Sequence, residues 1–93
     1  MTDPETGVIA ISRAGHDKGR AFVILRREGT EYVFIADGVT RRVAEPKKKK
    51  LKHLLIEPRT AEAIRELMAN GTNPTDADIR RALCALGYPT KRQ

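Results

Sequence analysis

Tryptophan is absent from this 93-residue chain, cysteine occurs once, and the aromatic residues are two Phe and two Tyr. A lone Cys84 excludes an intrachain disulfide and a multi-cysteine metal site. It falls within an apolar pattern, where a small thiol is expected as a core residue rather than a redox centre. So few aromatics argue against a stacking platform for single-stranded nucleic acid, and Phe22, Tyr32 and Phe34, all in strand-like runs, are read as core. Long apolar runs are missing as well. Nothing approaches the roughly 18 residues that a membrane-spanning helix requires. The acidic start, Met1-Thr2-Asp3-Pro4-Glu5, lacks the basic-then-apolar order of a signal peptide. A cytoplasmic, reducing location without a membrane partner is the expectation.

The signatures of catalysis are equally sparse. His16 and His53 lie in basic segments without triad partners nearby, and Ser12 is not part of a G-x-S-x-G elbow. No two carboxylates share an apolar setting that would push their pKa values apart. The segment Gly15 to Gly19 is too short for a phosphate-cradling Walker loop, and the His, Cys and acidic residues lack metal-ligand spacing. No enzymatic activity, cofactor or metal is expected.

Positive charge is what the chain has. The formal net charge is +6, and it is unevenly placed. Residues 1–12 carry −2, residues 13–53 carry twelve Lys/Arg against five Asp/Glu, and residues 54–93 carry +1. A cationic middle is the electrostatic footprint of a polyanion-binding protein, with nucleic acid the first candidate.

The first half has strand periodicity. Val8 to Ile11, Ala21 to Leu25 and Tyr32 to Ala36 are short runs rich in β-branched and aromatic residues, separated by glycine-containing turns. Asp37-Gly38 predicts a type I′ hairpin into a short fourth strand, Val39 to Val43. Lys47 to Lys50 reads as an exposed loop after Pro46, followed by a fifth strand, Leu51 to Ile56. Five short strands predict a small barrel that closes on itself and leaves no long edge unpaired. Several strands are apolar on both faces, so one face should line the barrel and the other should pack against helices.

Beyond Pro58 the period changes. Thr60 is the expected N-cap of a helix over Ala61 to Asn70, with Ile64, Leu67 and Met68 on one face and Gly71 past its end. Thr75 should cap a second helix, with Asp76 and Asp78 near its positive end and Ile79, Leu83 and Leu86 on one face. Gly87 and Pro89 end it. Neither helix is long enough to be stable alone. The expected organisation is mostly β with α: a barrel over 6–57, then a two-helix appendage over 58–88 packed on or beside it.

One loop combines glycines with bases, Ser12-Arg13-Ala14-Gly15-His16-Asp17-Lys18-Gly19-Arg20. Glycines let a backbone approach a partner closely, and bases neutralise phosphates. The pattern from Gly7 to Leu25 resembles the KOW motif of ribosomal proteins and transcription elongation factors. More specifically, the chain resembles short bacterial KOW-domain RNA-binding proteins, which are similar to eukaryotic-type large-subunit ribosomal proteins. The matching elements are Ala14-Gly15-x-Asp17-Lys18-Gly19-Arg20, Ala36-Asp37-Gly38, Arg41-x-Val43, and Pro46-Lys47-Lys48-Lys49 leading to Lys52-His53-Leu54. Together they span roughly residues 7–54. The resemblance implies an SH3-like barrel, RNA binding, and association with ribosomal RNA or the ribosome in translation.

The candidate RNA-binding surface has two halves. Arg13, His16, Lys18 and Arg20 come from the glycine loop. Arg41, Arg42, Lys47, Lys48, Lys49, Lys50, Lys52 and His53 come from the segment beyond the third strand. Gly15, Gly19 and Gly38 serve backbone geometry. The helices either cover the barrel or meet a protein partner through Arg65, Arg80 and Arg81. Two rivals stand beside this reading: an SH3-like protein-interaction module and a transcription-associated nucleic-acid-binding factor.

Overall fold

β-branched and aromatic runs need a cross-strand partner for every backbone N–H and C=O, and here they find it in one antiparallel sheet. The computed structural model of the protein describes residues 3–88. Its elements are β1 (Val8–Ser12), β2 (Ala21–Glu28), β3 (Tyr32–Ala36), β4 (Lys47–Lys50), a 3₁₀ turn (Leu51–His53), β5 (Leu54–Thr60), α1 (Glu62–Ala69) and α2 (Asp76–Ala85). The sheet order is β4-β3-β2-β1-β5, so the first four strands form a meander and β5 returns to the far side of β1. β2 bridges the two halves, pairing with β1 at its start (Ala10 opposite Phe22) and with β3 along its length (Glu28 opposite Tyr32). Irregularities in register between Ile24 and Arg26, and between Val8 and Ala10, bend the sheet at these points, as bulges do.

The expectation of two apolar faces holds, and it explains the architecture. Ala10, Phe22, Ile24, Val33, Ile35 and Leu54 form a core on the inner face of the coiled sheet. Ile9, Val23, Leu25 and Ala36, their neighbours of opposite parity, form a second core with Ala61, Ile64, Ile79 and Leu83. The helical hairpin thus covers part of the back of the sheet, over Ile9, Val23, Leu25 and Ala36, and barrel and helices share one of the two cores. β5 runs through residue 58 to Thr60, so the barrel passes without a break into the helical segment.

Several local expectations fail for physical reasons. Lys47 to Lys50 is not a loop but a strand, pairing with β3 from Tyr32 to Ile35. Lysine is tolerated there because β4 is an edge, where its long stems and charged heads also discourage pairing with other chains. Val39 to Val43 is not a strand. Asp37 Oδ1 accepts hydrogen bonds from the backbone N–H groups of Val39, Thr40 and Arg41, each at 2.9 Å, and this local capture competes with strand pairing. Nor is Asp37-Gly38 a type I′ turn, since only glycines have positive φ among the described residues. The expected strand Leu51 to Ile56 splits into the 3₁₀ turn and β5. Pro58 lies inside β5, which tolerates it as the other edge strand. β4 and β5 are not hydrogen-bonded to each other. The sheet therefore keeps two edges where full closure was expected.

The helices are closer to expectation. α1 begins after Ala61 without a side-chain cap, because Thr60 is occupied in β5 opposite Val8. α2 has the expected Thr75 cap, and Asp78 completes it as a capping box: Thr75 Oγ1 accepts from the Asp78 N–H at 3.1 Å, and the Thr75 N–H donates to Asp78 Oδ2 at 2.9 Å. Pro89, the expected terminator, lies outside the described residues. Cys84 is exposed rather than in the core. It sits one residue beyond buried Leu83, and a step of about 100° around the helix turns it away from the Ile79–Leu83 face.

The capping box should be measurable. Thr75→Ala is expected to cost about 1 kcal/mol, read as a lower urea midpoint; an unchanged midpoint would show that the cap is redundant. The Asp78 carboxyl is held below its ordinary 3.8, chiefly by the Thr75 backbone N–H, then by the Thr75 hydroxyl and Arg81. A depressed folded-state pKa gives a contribution present above 3.8 and lost as pH falls through the folded value. Thr75→Ala keeps that backbone donor, so the pH dependence belongs to the carboxylate: the gap between wild type and Asp78→Ala should shrink in acid. At the chain's other tie, Tyr88 donates to Glu57 Oε1 at 2.6 Å, and this bond pushes its phenol above 10.

Candidate nucleic-acid interface

Two loops meet at one end of the barrel, and the 3₁₀ turn, which starts beside Glu31 at the other end of β3, reaches them through His53. Loop 13–20 joins β1 to β2, loop 37–46 joins β3 to β4, and the 3₁₀ turn joins β4 to β5. The Arg13 N–H donates to the His53 carbonyl at 2.8 Å, which fixes loop 13–20 against the 3₁₀ turn. Lys49 Nζ donates to the Ala14 carbonyl at 3.2 Å, reaching from β4 to the same loop. Two ion pairs join the remaining segments. Arg41 reaches Asp17 at 2.9 Å, and Arg20 reaches Asp37 at 3.3 Å. The two halves read from the sequence are therefore contiguous.

The ion pairs also divide the candidate cations by role. Asp37 is wholly buried and Asp17 nearly so. Arg20 and Arg41 neutralise these two carboxylates, so their first task is to lock the loops together. Arg13, His16, Lys18, Arg42 and Lys52 are exposed, and Lys47, Lys49 and His53 are half-buried. Gly15, Gly19 and Gly38 all have positive φ, between 78° and 87°, which only glycine adopts without penalty. Gly38 has a second constraint. A Cβ there would collide with the Asp76 carbonyl and press on Arg80, so the loop lies directly on α2.

That contact explains the helical arginines. Arg80 donates to the Gly38 carbonyl at 2.8 Å, and Asp76 accepts from the Val43 N–H at 2.8 Å. Arg65 donates to the Pro4 carbonyl at 3.0 Å. Arg65 and Arg80 thus tie the chain to itself, while Arg81 stays at the surface, paired with Asp78. A cleft of about 560 Å³ lies between β2, loop 37–46 and the turn before α2; its charged lining is Arg26 and Asp76.

The pleat splits the lysine run. Lys47 and Lys49 are opposite Ile35 and Val33, whose side chains point inward, and Lys49 accordingly reaches loop 13–20. Lys48 and Lys50 are opposite Phe34 and Tyr32 and share their outer face. Lys48 Nζ lies 4.7 Å and Lys50 Nζ 5.7 Å from the centre of the Tyr32 ring. Phe22 is in the core as expected, but Tyr32 and Phe34 are only half-buried, on the outside of the sheet. The sequence signal for this was the alternation itself: Val33 and Ile35 claim the inside, leaving the aromatics between them to the other face. Among the described residues, no group of three His, Cys, Asp or Glu side chains is placed to share a metal ion, and no helix is long and apolar enough to cross a membrane. Compared with protein-family models and with curated proteins, the sequence matches none.

Proposed function

We propose that this is a non-enzymatic, cytoplasmic RNA-binding protein of KOW type that holds structured RNA, ribosomal RNA foremost, against the end of its barrel. The observation that carries this reading is the convergence of two basic segments on one rigid frame, with Lys49 seated on the Ala14 carbonyl and Arg41 on Asp17. Arg13, Lys18, Arg42, Lys47, Lys49 and Lys52 supply the cations for phosphates, and His16 and His53 add hydrogen-bonding groups. Arg20 and Arg41 hold the surface in shape. Folded RNA suits such a site, because its recognition rests on phosphates, 2′-hydroxyls and shape rather than on reading base edges in a deep groove. The KOW resemblance supports the same conclusion through Ala14 to Arg20 and Pro46 to Lys49.

Six phosphate contacts would release about 0.7–0.9 counterion each. Titration of a structured RNA at several salt concentrations should then give a slope of log K against log salt of about −4 to −5. A slope near −1 would point to a mainly apolar protein contact and sink the proposal. Competition with duplex DNA of equal length separates RNA recognition from a transcription-associated role. Cosedimentation with ribosomal subunits tests the ribosomal assignment.

A further inference from the structure

The outer face of β2, β3 and β4 carries a second arrangement that the barrel-end surface does not use. The register places Arg26, Phe34 and Lys48 in one cross-strand row, and Glu28, Tyr32 and Lys50 in the next. Two aromatic rings thus form the centre of a small grid, flanked by three cations and one carboxylate. The helices leave this part of the sheet open: their core takes Val23, Leu25 and Ala36 from the same face but stops short of Phe34. The Arg26 guanidinium lies 4.2 Å from the centre of the Phe34 ring. Lys48 and Lys50 lie over Tyr32, and Lys48 also pairs with Glu28 at 3.1 Å.

Although the chain has few aromatics, two of them lie side by side on this outer face, and we propose that the grid is a second contact face, for a single-stranded RNA segment flanking the structured element at the barrel end. The inference rests on the RNA reading for its choice of ligand, but it uses different residues. Charge selects an anion, since Arg26, Lys48 and Lys50 outnumber Glu28. The rings select an anion with flat groups. Residues on one strand face recur at about 6.8 Å, so two successive unstacked bases can each meet one platform. At Phe34 the platform is the stacked guanidinium, whose outer plane accepts a base as an aromatic ring does. At Tyr32 it is the ring itself. Exposed ammonium groups hold a ring weakly, so Lys48 and Lys50 can move from Tyr32 to the phosphates while a base takes their place. β4 thereby joins the two surfaces, with Lys47 and Lys49 facing one and Lys48 and Lys50 the other.

The test compares an RNA hairpin with the same hairpin carrying an unpaired eight-nucleotide extension, by fluorescence anisotropy on the full chain. Wild type should bind the extended RNA about tenfold more tightly, in line with one or two base–aromatic stacks. Arg26→Gln with Tyr32→Leu should abolish that gain and leave hairpin affinity unchanged. Lys48→Gln with Lys50→Gln, which keeps both rings, should reduce the gain and flatten the salt slope of the extended RNA by about 1 to 2. The proposal is overturned if the extension adds nothing in wild type, or if both double variants retain the gain. It is also overturned if an acidic peptide, rather than unpaired RNA, protects the Tyr32 ring in NMR spectra. Failure of the barrel-end reading looks different: the hairpin alone would then bind without dependence on Lys18 or Arg13.

Discussion

Asp37→Ala should destabilise the protein by about 3 kcal/mol, more than the loss of any exposed cation. Its carboxylate is wholly buried and accepts five hydrogen bonds. Oδ1 takes the backbone N–H groups of Val39, Thr40 and Arg41. Oδ2 takes the Thr40 hydroxyl and the Arg20 guanidinium. An alanine leaves three backbone donors without their acceptor, and each unsatisfied buried group costs about 1–3 kcal/mol. Three such donors together span about 3–9 kcal/mol, and partial access to water at Thr40, which is exposed, keeps the total near the lower end. Asp37→Asn separates the two oxygens. It can keep the Oδ1 bonds but turns an amide N–H₂ toward Arg20, so a loss of about 1–2 kcal/mol is expected from the Arg20 side alone. Urea denaturation of the three proteins measures both steps. If Asp37→Ala lies within 0.5 kcal/mol of wild type, loop 37–41 is held by something other than this carboxylate.

That residue also marks the limit of what the sequence discloses. Asp37-Gly38 is legible as a turn, but the two-residue hairpin and the loop built around a side chain begin with the same letters. They differ only in whether Asp37 points to its own backbone, where Arg20 meets it from loop 13–20. The lysine run misleads for a similar reason. Composition places Lys47 to Lys50 in a loop, whereas β3 has an open edge that needs a partner, and tertiary demand overrides propensity. Strand alternation, by contrast, is written in the residues themselves. Ala21 to Leu25 is apolar at every position, and the structure buries one parity in the barrel and the other under the helices. The basic halves of the candidate site were each legible. Their contact was not, because it runs through Lys49 to Ala14, Arg41 to Asp17 and Arg20 to Asp37, pairings of high sequence separation. The division of labour among the arginines follows from burial of their partners, which no spacing rule conveys.

The helical hairpin acquires a role from the same contacts. Arg80 and Asp76 tie loop 37–46 to α2, while the Arg20–Asp37 and Arg41–Asp17 pairs tie it to loop 13–20. The loop that carries Arg42 into the candidate surface is thus held by both the barrel and α2. Such a surface is organised before any ligand arrives, so the flexible arginine and lysine heads need ordering on binding, not the loops that carry them.

The largest effect on ligand binding should come from removing only the cations that have no structural duty. Arg13→Ala, Lys18→Ala and Arg42→Ala together leave every ion pair described above intact, since these three side chains are exposed and take part in none of them. With about 0.7–0.9 counterion released per phosphate contact, each contact contributes about four- to fivefold in affinity at 0.15 M salt. The triple variant should therefore bind structured RNA about 100-fold more weakly, while its urea midpoint stays close to that of wild type. Its salt slope should become shallower by about 2 to 3. Both numbers must move together if the contacts are ionic. A 100-fold loss with an unchanged slope would mean that the substitutions distort the surface rather than remove phosphate contacts. A loss below about fivefold would place the RNA elsewhere on the molecule. Lys49→Gln removes one of the ties between the two halves of the surface, the Nζ donation to Ala14, along with a charge. It should weaken binding by more than the single-contact factor, since loop 13–20 then loses its tie to β4 as well as one phosphate partner.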